Sequence, residues 1–182
     1  MIKLIDLLKE NSESTYDLGC VMLDFNFPRL KTIQDNIEEE DIYTEEGDKT
    51  YGLEDEPHIT LLYGLHEGVT IEQVKEALKD IEFSNVRLSN ISCFETPKYD
   101  VLKFDVEGEA LNKAHEALKT LPFTSDFPEY HPHLTVCYLK KGKGKIYTQG
   151  FKGLNFILKP TKAVYSTPEG EKTEFEIQQE EI

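Results

Sequence analysis

A chain of 182 residues with 38% hydrophobic and 10% aromatic side chains can bury the core of one domain without staples, and its 30% charged residues belong to a solvated surface rather than a disordered chain. Acidic residues outnumber basic ones 35 to 20. The resulting net charge of -15 argues against binding a long nucleic acid duplex, although a small anionic ligand needs only a local cluster of donors.

The amino-terminal run MIKLIDLLKE sets Ile2, Leu4, Ile5, Leu7 and Leu8 at helical spacing, so residues 1–15 read as a short amphipathic extension that docks on the domain or meets a partner. Asp6 and Glu10 break any signal-peptide core, and no later stretch is long enough to cross a bilayer. Cys20, Cys93 and Cys137 are odd in number and far apart, which argues against a disulfide framework or zinc knuckle and suits a reducing compartment. The expectation is a single domain over 1–182, cytoplasmic, monomeric and away from membranes.

LGCVMLDFNF at 18–27 reads as a buried strand. Pro28 then opens a helix whose apolar stripe is Leu30, Ile33 and Ile37, with the acidic run 38–41 as a solvated face and 44–55 as a loop. PHITLLYGL at 57–65 is a second strand. Thr70 caps the following helix with Gln73 as capping-box partner, and Val74, Ala77, Leu78 and Ile81 point inward. Strands follow at 85–94 and 100–107, then a helix over 109–121 with Leu111, Ala114, Leu118 and Leu121 on one side. YHPHLTVCYL at 130–139 is the next strand and KKGKGK at 140–145 a flexible basic loop. The tail is strand-like at 154–158, 163–166 and 173–177. Several strands are joined too closely for parallel crossovers, so the fold class is α+β with antiparallel pairing.

Two segments match position by position: PHITLLYG from Pro57 and PHLTVCYL from Pro132, both P-H-x-T-x-x-Y. Each follows an apolar strand and an amphipathic helix, so the duplicated unit is strand-helix-strand, and two such units pack about a pseudo-two-fold axis. Alternate residues of a strand share a face, which puts His58 with Thr60 and His133 with Thr135. Strict alternation sends Ile59, Leu61 and Tyr63, and likewise Leu134, Val136 and Tyr138, to the opposite, core side. If the units face each other, two histidines and two threonines line one cleft.

Cleaving a phosphodiester needs a base for the attacking oxygen, an acid for the leaving oxygen, and donors for the phosphoryl oxygens. One neutral imidazole and one imidazolium share the first two tasks, and threonine hydroxyls two residues away take the third. No metal or cofactor is required. A single H-x-T is common in strands; two copies in matching contexts point to a site.

These motifs resemble the 2H phosphoesterase superfamily, which is named for paired His-x-Thr or His-x-Ser motifs and includes bacterial RNA 2′,5′-ligase-like proteins and cyclic phosphodiesterases. The resemblance spans about residues 18–177. It implies two pseudo-symmetric lobes with antiparallel sheets around a central cleft, helices on the outside, and metal-independent chemistry at His58, Thr60, His133 and Thr135. The run EDIYTEEGDKTYGLEDEPHITLLYGLHEGV at 40–69 looks most like the phage anti-CBASS phosphodiesterases, which destroy cyclic di- and trinucleotide signals in the host cytoplasm. That resemblance implies attack of a ribose 2′-hydroxyl on the adjacent 3′,5′ linkage, leaving 2′,3′-cyclic phosphate ends. It further implies a carboxylate and an aromatic near the carboxyl terminus that hold a base, for which Glu169 and Phe175 are the best matches; a turn glutamate and a core phenylalanine are the alternative. An RNA end-processing enzyme acting on 2′,3′-cyclic phosphates and a non-catalytic nucleotide sponge remain as other readings.

His131 and His133 form a His-x-His pair on one strand face, but no cysteine or carboxylate stands at ligand spacing, so metal binding is not expected. His66 and His115 read as loop and helix-surface residues. The KKGKGK loop either folds over an anionic substrate or is an ordinary solvated hairpin loop.

Overall fold

The computed structural model describes residues 18–180, so the helix expected over 1–15 lies outside the described residues. Ten strands and four α-helices follow: β1 (Gly19–Phe25), α1 (Arg29–Gln34), β2 (His58–Leu65), α2 (Ile71–Leu78), β3 (Glu82–Phe83), β4 (Val86–Glu95), β5 (Tyr99–Glu107), α3 (Glu109–Leu118), β6 (His133–Lys140), α4 (Gly144–Gly150), β7 (Phe156–Leu158), β8 (Pro160–Ser166), β9 (Lys172–Phe175) and β10 (Gln178–Gln179). Eight strands form one sheet in the order β7-β4-β5-β6-β2-β1-β8-β9, with antiparallel pairing throughout, while β3 and β10 make a small parallel pair. The α+β class stands, and the two expected lobes are the two halves of this one sheet. Each half contributes its motif strand, β2 or β6, to the centre of the whole sheet.

The repeat is visible in the register. β1 enters β2 with the Phe25 amide donating to Pro57 O at 3.0 Å, and β5 enters β6 with the Val106 amide donating to Pro132 O at 3.1 Å. Proline lacks a donor but keeps this acceptor, which suits the first position of a strand. At the centre, β2 and β6 share one ladder pair, Ile59 with Leu134. Beyond it each motif strand takes other partners. The Glu54 amide donates to Val136 O and the Tyr138 amide to Gly52 O, at 3.0 and 2.9 Å, while Leu65 bridges to Phe123 and the Thr124 amide donates to Gly64 O at 2.9 Å.

The helices cross over. α1 belongs to the first repeat yet packs on β6, and α3 belongs to the second yet packs on β2. Apolar residues of β1, β2, β5 and β6 on the helix side, among them Leu23, Ile59, Leu61, Leu102, Phe104 and Leu134, are fully buried with Leu111 and Leu118 of α3. Each contributes on the order of 1.5–3 kcal/mol of burial. α2 is capped as its spacing predicts: Thr70 Oγ1 accepts from the Gln73 amide at 3.2 Å and Gln73 Oε1 from the Thr70 amide at 2.9 Å. Gly64, at φ 123°, lies so close to the 122–124 segment that a Cβ would stand 2.0 Å from Thr124 O.

Two expectations change. The acidic run 38–41 is not wholly solvated, since Asp41 is buried, accepts from Tyr147 Oη at 2.7 Å and pairs with Lys143 at 2.9 Å. The KKGKGK stretch is a turn leading into α4, and three of its four lysines are tied down: Lys140 to Glu40 O and Lys141 to Thr96 O, both at 2.5 Å, and Lys143 to Asp41. It sits at the far end of β6, about 20 Å along the strand from His133. These anchors and that distance place the stretch away from the motifs.

Buried Gln34 of α1 donates to both Glu54 O at 2.6 Å and Val136 O at 2.9 Å, joining the two halves through one amide. Replacing it, Gln34→Ala, takes one donor from Glu54 O and one of two from Val136 O and is expected to cost about 1–3 kcal/mol. Urea unfolding measures this, and a loss below about 1 kcal/mol would show the seam does not depend on it.

Candidate active site

Strict alternation along the motif strands fails at the same point in each, and β2 slips once more at Gly64. Val21 and Met22 of β1 face Leu62 and Thr60, which skips Leu61, and Leu102 and Lys103 of β5 face Cys137 and Thr135, which skips Val136. Each skipped residue is a β-bulge directly after the motif threonine. Leu61 and Leu62 therefore both enter the main core, as do Val136 and Cys137. Tyr63 and Tyr138 return to the face that carries the histidines. Their assignment to the core side is corrected: Tyr63 packs with Cys20, Met22 and Val164, and Tyr138 with Tyr99, Val101 and Phe94. The x-x in P-H-x-T-x-x-Y is the bulge.

The ladder pair Ile59–Leu134 fixes what stands beside what. In the antiparallel register around it, His58 lies next to the Thr135 position and Thr60 next to His133. His58, Thr60 and His133 are half-buried and Thr135 is 9% exposed, so the four side chains reach a shared, partly dry surface. Both rings are held alike: His58 Nδ1 lies 2.8 Å from Glu56 O and His133 Nδ1 2.9 Å from His131 O. A carbonyl can only accept, so each Nδ1 carries the hydrogen and each Nε2 is left for chemistry.

The charges beside the two rings are not alike. Asp24 of β1 is the cross-strand partner of His58, and Asp105 of β5 that of His133. Asp105 is saturated: it accepts from Lys103 Nζ at 2.5 Å, Ser92 Oγ at 2.8 Å and Asn90 Nδ2 at 2.8 Å. Burial opposes its charge, but these partners outweigh burial and hold the carboxyl below the usual range. Among the described residues Asp24 has Lys162 at 3.9 Å as its one ion-pair partner, and burial raises its carboxyl against the pull of His58 and Lys162. Burial, with Lys103 and His58 as further cations, pushes His133 down to about 4 against the bond to His131 O and the charge of Asp105. His133 is therefore neutral at pH 7, with a free Nε2 lone pair.

Cavities open on both sides of the motif pair. One, about 450 Å³, is polar and lined by His58, Asp24, Glu56, Lys162, Lys172 and Glu174 among others. The second, about 190 Å³, is more apolar and lined by Thr60, His133, Phe94, Phe127, Tyr130 and Tyr63 among others.

Glu169 and Phe175 do not join this surface. Phe175 packs in the main core from β9, and Glu169 is exposed in the β8–β9 turn; the tail carboxylate beside His58 is Glu174. His131 offers its carbonyl to His133 while its ring turns to Glu129 at 3.3 Å, and among the described residues no three His, Cys, Asp or Glu side chains converge to hold a metal ion. His66 is exposed as expected. His115 is half-buried rather than on the surface: its Nδ1 lies 2.7 Å from Leu61 O and its ring stacks on Tyr130 at 4.1 Å, while Tyr130 Oη donates to Thr60 O at 2.8 Å. These two side chains occupy carbonyls of β2 that β6 does not reach. The neighbours missed by sequence reasoning are Asp24, Lys103, Asp105, Phe94 and Tyr130. Extending the repeat backwards would have found two of them, because Leu23-Asp24-Phe25 aligns with Phe104-Asp105-Val106.

Among solved structures, the MHV ns2 PDE domain is similar with a TM-score of 0.53 and 16% identity over 90% of this chain and 95% of that one. Kluyveromyces marxianus Usb1 with uridine monophosphate is similar with a TM-score of 0.51 and 10% identity over 89% and 99%. These likenesses are of fold. A comparison with curated protein sequences gives no match. The family described as the 2'-5' RNA ligase superfamily matches residues 28–146, more than half of the chain, and the match takes in both motifs. The chain thus belongs to the 2'-5' RNA ligase superfamily of 2H phosphoesterases and is a phosphodiesterase.

Proposed function

We propose that this phosphodiesterase opens the 3′,5′ linkages of cyclic di- and trinucleotide signals, the anti-CBASS type of activity, without a metal. The observation that carries the reading is the pair of imidazoles with anchored Nδ1 and free Nε2, each set beside the other motif's threonine across one ladder pair. A neutral ring takes the proton of a ribose 2′-hydroxyl as its oxygen bonds to phosphorus. The P–O5′ bond breaks, the second ring, as imidazolium, gives its proton to O5′, and the products are a 2′,3′-cyclic phosphate and a 5′-hydroxyl. Thr60 and Thr135 hydroxyls donate to the phosphoryl oxygens as charge builds. Cavities on both sides of the motif pair give a ring-shaped ligand room for a nucleoside on each side of the phosphate. The net charge of -15 favours such a compact ligand over a long polymer.

A second reading is opening of 2′,3′-cyclic phosphates at RNA ends with water as nucleophile, for which membership of the 2'-5' RNA ligase superfamily speaks. Incubation with 3′,3′-cyclic dinucleotides, cyclic trinucleotides and a 2′,3′-cyclic-phosphate oligonucleotide, in EDTA, separates the two by product. Turnover of the first two classes is expected to survive chelation. Turnover of the oligonucleotide alone supports the second reading, and binding without product supports a sponge.

His58→Ala and His133→Ala are each expected to lower kcat about 10²–10⁴-fold, and Thr60→Val or Thr135→Val about a hundredfold. Undiminished turnover removes the residue from the chemistry. A neutral His133 must serve as base, and protonation disables it. With its ring at about 4, kcat/KM should not fall from pH 7 toward pH 5 and should fall below about pH 4. A decline that sets in above pH 6 would contradict the base role.

A further inference from the structure

The two repeats share a backbone plan, so something other than the backbone must tell the two histidines apart. The position beside the motif threonine differs between the halves. β1 places Met22 opposite Thr60, and β5 places Lys103 opposite Thr135. Met22 packs in an apolar cluster with Cys20 and Val164, whereas Lys103, only 7% exposed, carries an ammonium into the corresponding place. Its Nζ bonds Ser92 Oγ at 2.7 Å and Asp105 Oδ1 at 2.5 Å and stands 4.3 Å from the centroid of the Phe94 ring. The His133 ring meets the same phenylalanine edge to face, at 5.1 Å between centroids and 87°. Phe94 is thus shared by a cation and an imidazole, and a charge acting across an apolar ring is screened less than one acting through solvent.

The other groups around His133 offset this cation only in part. On β5, Asp105 faces the ring and, ion-paired with Lys103, opposes it, but Lys103 weighs more on His133 than Asp105 does. β2 contributes His58, which adds positive charge when protonated. β4 contributes Phe94, without charge. The segment before β6 contributes the His131 carbonyl, while the His131 ring faces Glu129. At His58 the balance is reversed: the cross-strand Asp24 has its one ion-pair contact at 3.9 Å, to a lysine that also pairs with Glu174.

We propose that Lys103 breaks the symmetry of the duplicated site, acting through Phe94 and Asp105 to keep His133 the base and leave the acid's part to His58. Lys103 is a positioning residue for proton traffic and does not touch the substrate. The proton leaves the attacking hydroxyl for His133 Nε2, and the leaving oxygen takes its proton from His58 Nε2. Exchange with solvent restores both rings, and His133 sheds its proton readily because a cation stands behind it. The proposal rests on the phosphodiesterase reading, but its test does not need a substrate.

The test is a histidine-resolved NMR titration of the full chain carrying Lys103→Met, which copies the residue of the other repeat. Lys103→Gln, which keeps a donor for Ser92 and Asp105, serves if the methionine variant does not fold. In either folded variant the His133 pKa is expected to rise by about one unit or more, a tenfold change in proton affinity, with His58 nearly unmoved. The acid limb of the kcat/KM profile should move up in pH with it. An unmoved His133, or an equal shift of both histidines, overturns the proposal. Failure of the phosphodiesterase reading would instead show as no turnover on any substrate with the His133 shift intact.

Discussion

One backbone pair, Ile59 with Leu134, is the contact on which the arrangement of the site depends. A longer ladder between β2 and β6 would zip the motif strands together and lay the histidines flat on a continuous sheet. The bulges after Thr60 and Thr135 help prevent this, since bulges bend a strand and sharpen its twist. Each motif strand then carries carbonyls and amides that its opposite number does not reach. Buried backbone polar groups left unpaired are costly, so the connecting segments supply partners: Gly52, Glu54 and Gln34 on one side, Thr124, Tyr130 and His115 on the other. The exchange of helices between repeats follows, because α1 and α3 each deliver one of these side chains to the opposite half.

Much of this was legible in the sequence because it rests on local pattern. The repeated P-H-x-T-x-x-Y, the strand-helix-strand context and the capping box at Thr70 each depend on a few neighbouring residues, and each is where its spacing puts it. The bulge was not legible. Leu61-Leu62 and Val136-Cys137 read equally well as alternating or as doubly buried, and only the cross-strand register decides. Tyr63 and Tyr138 change faces for that reason alone. Of the two readings of Glu169 and Phe175, the turn glutamate and core phenylalanine are what the structure shows, since a weak match in the tail could not say which of its alternating residues faced the motifs. His115 was misread because its polar ring sits on an otherwise solvated side of α3; what calls it inward is the Leu61 carbonyl, which belongs to another part of the chain.

A duplicated fold brings two equivalent groups together easily, but acid-base chemistry needs them to be unequal. In this protein the inequality lies in side chains that the duplication does not repeat. Cys20, Met22 and Val164 make one half of the histidine face apolar, and Lys103 with its two polar partners, Ser92 and Asp105, makes the other half charged. The backbone supplies symmetry and position, and a few substitutions on one strand supply direction.

The anchoring of the two rings has a consequence for how freely the surroundings can change. Each Nδ1 is held by a main-chain oxygen, Glu56 O or His131 O, and a proline stands between that residue and the histidine. Proline fixes its own φ and biases the residue before it toward extended backbone, so the carbonyl is aimed by the chain itself. The tautomer therefore asks nothing of the side chain at 56 or 131, and a glutamate serves at one while a histidine serves at the other. Two positions at the mouth of the site are free to diversify toward new ligands without disturbing the proton on either ring.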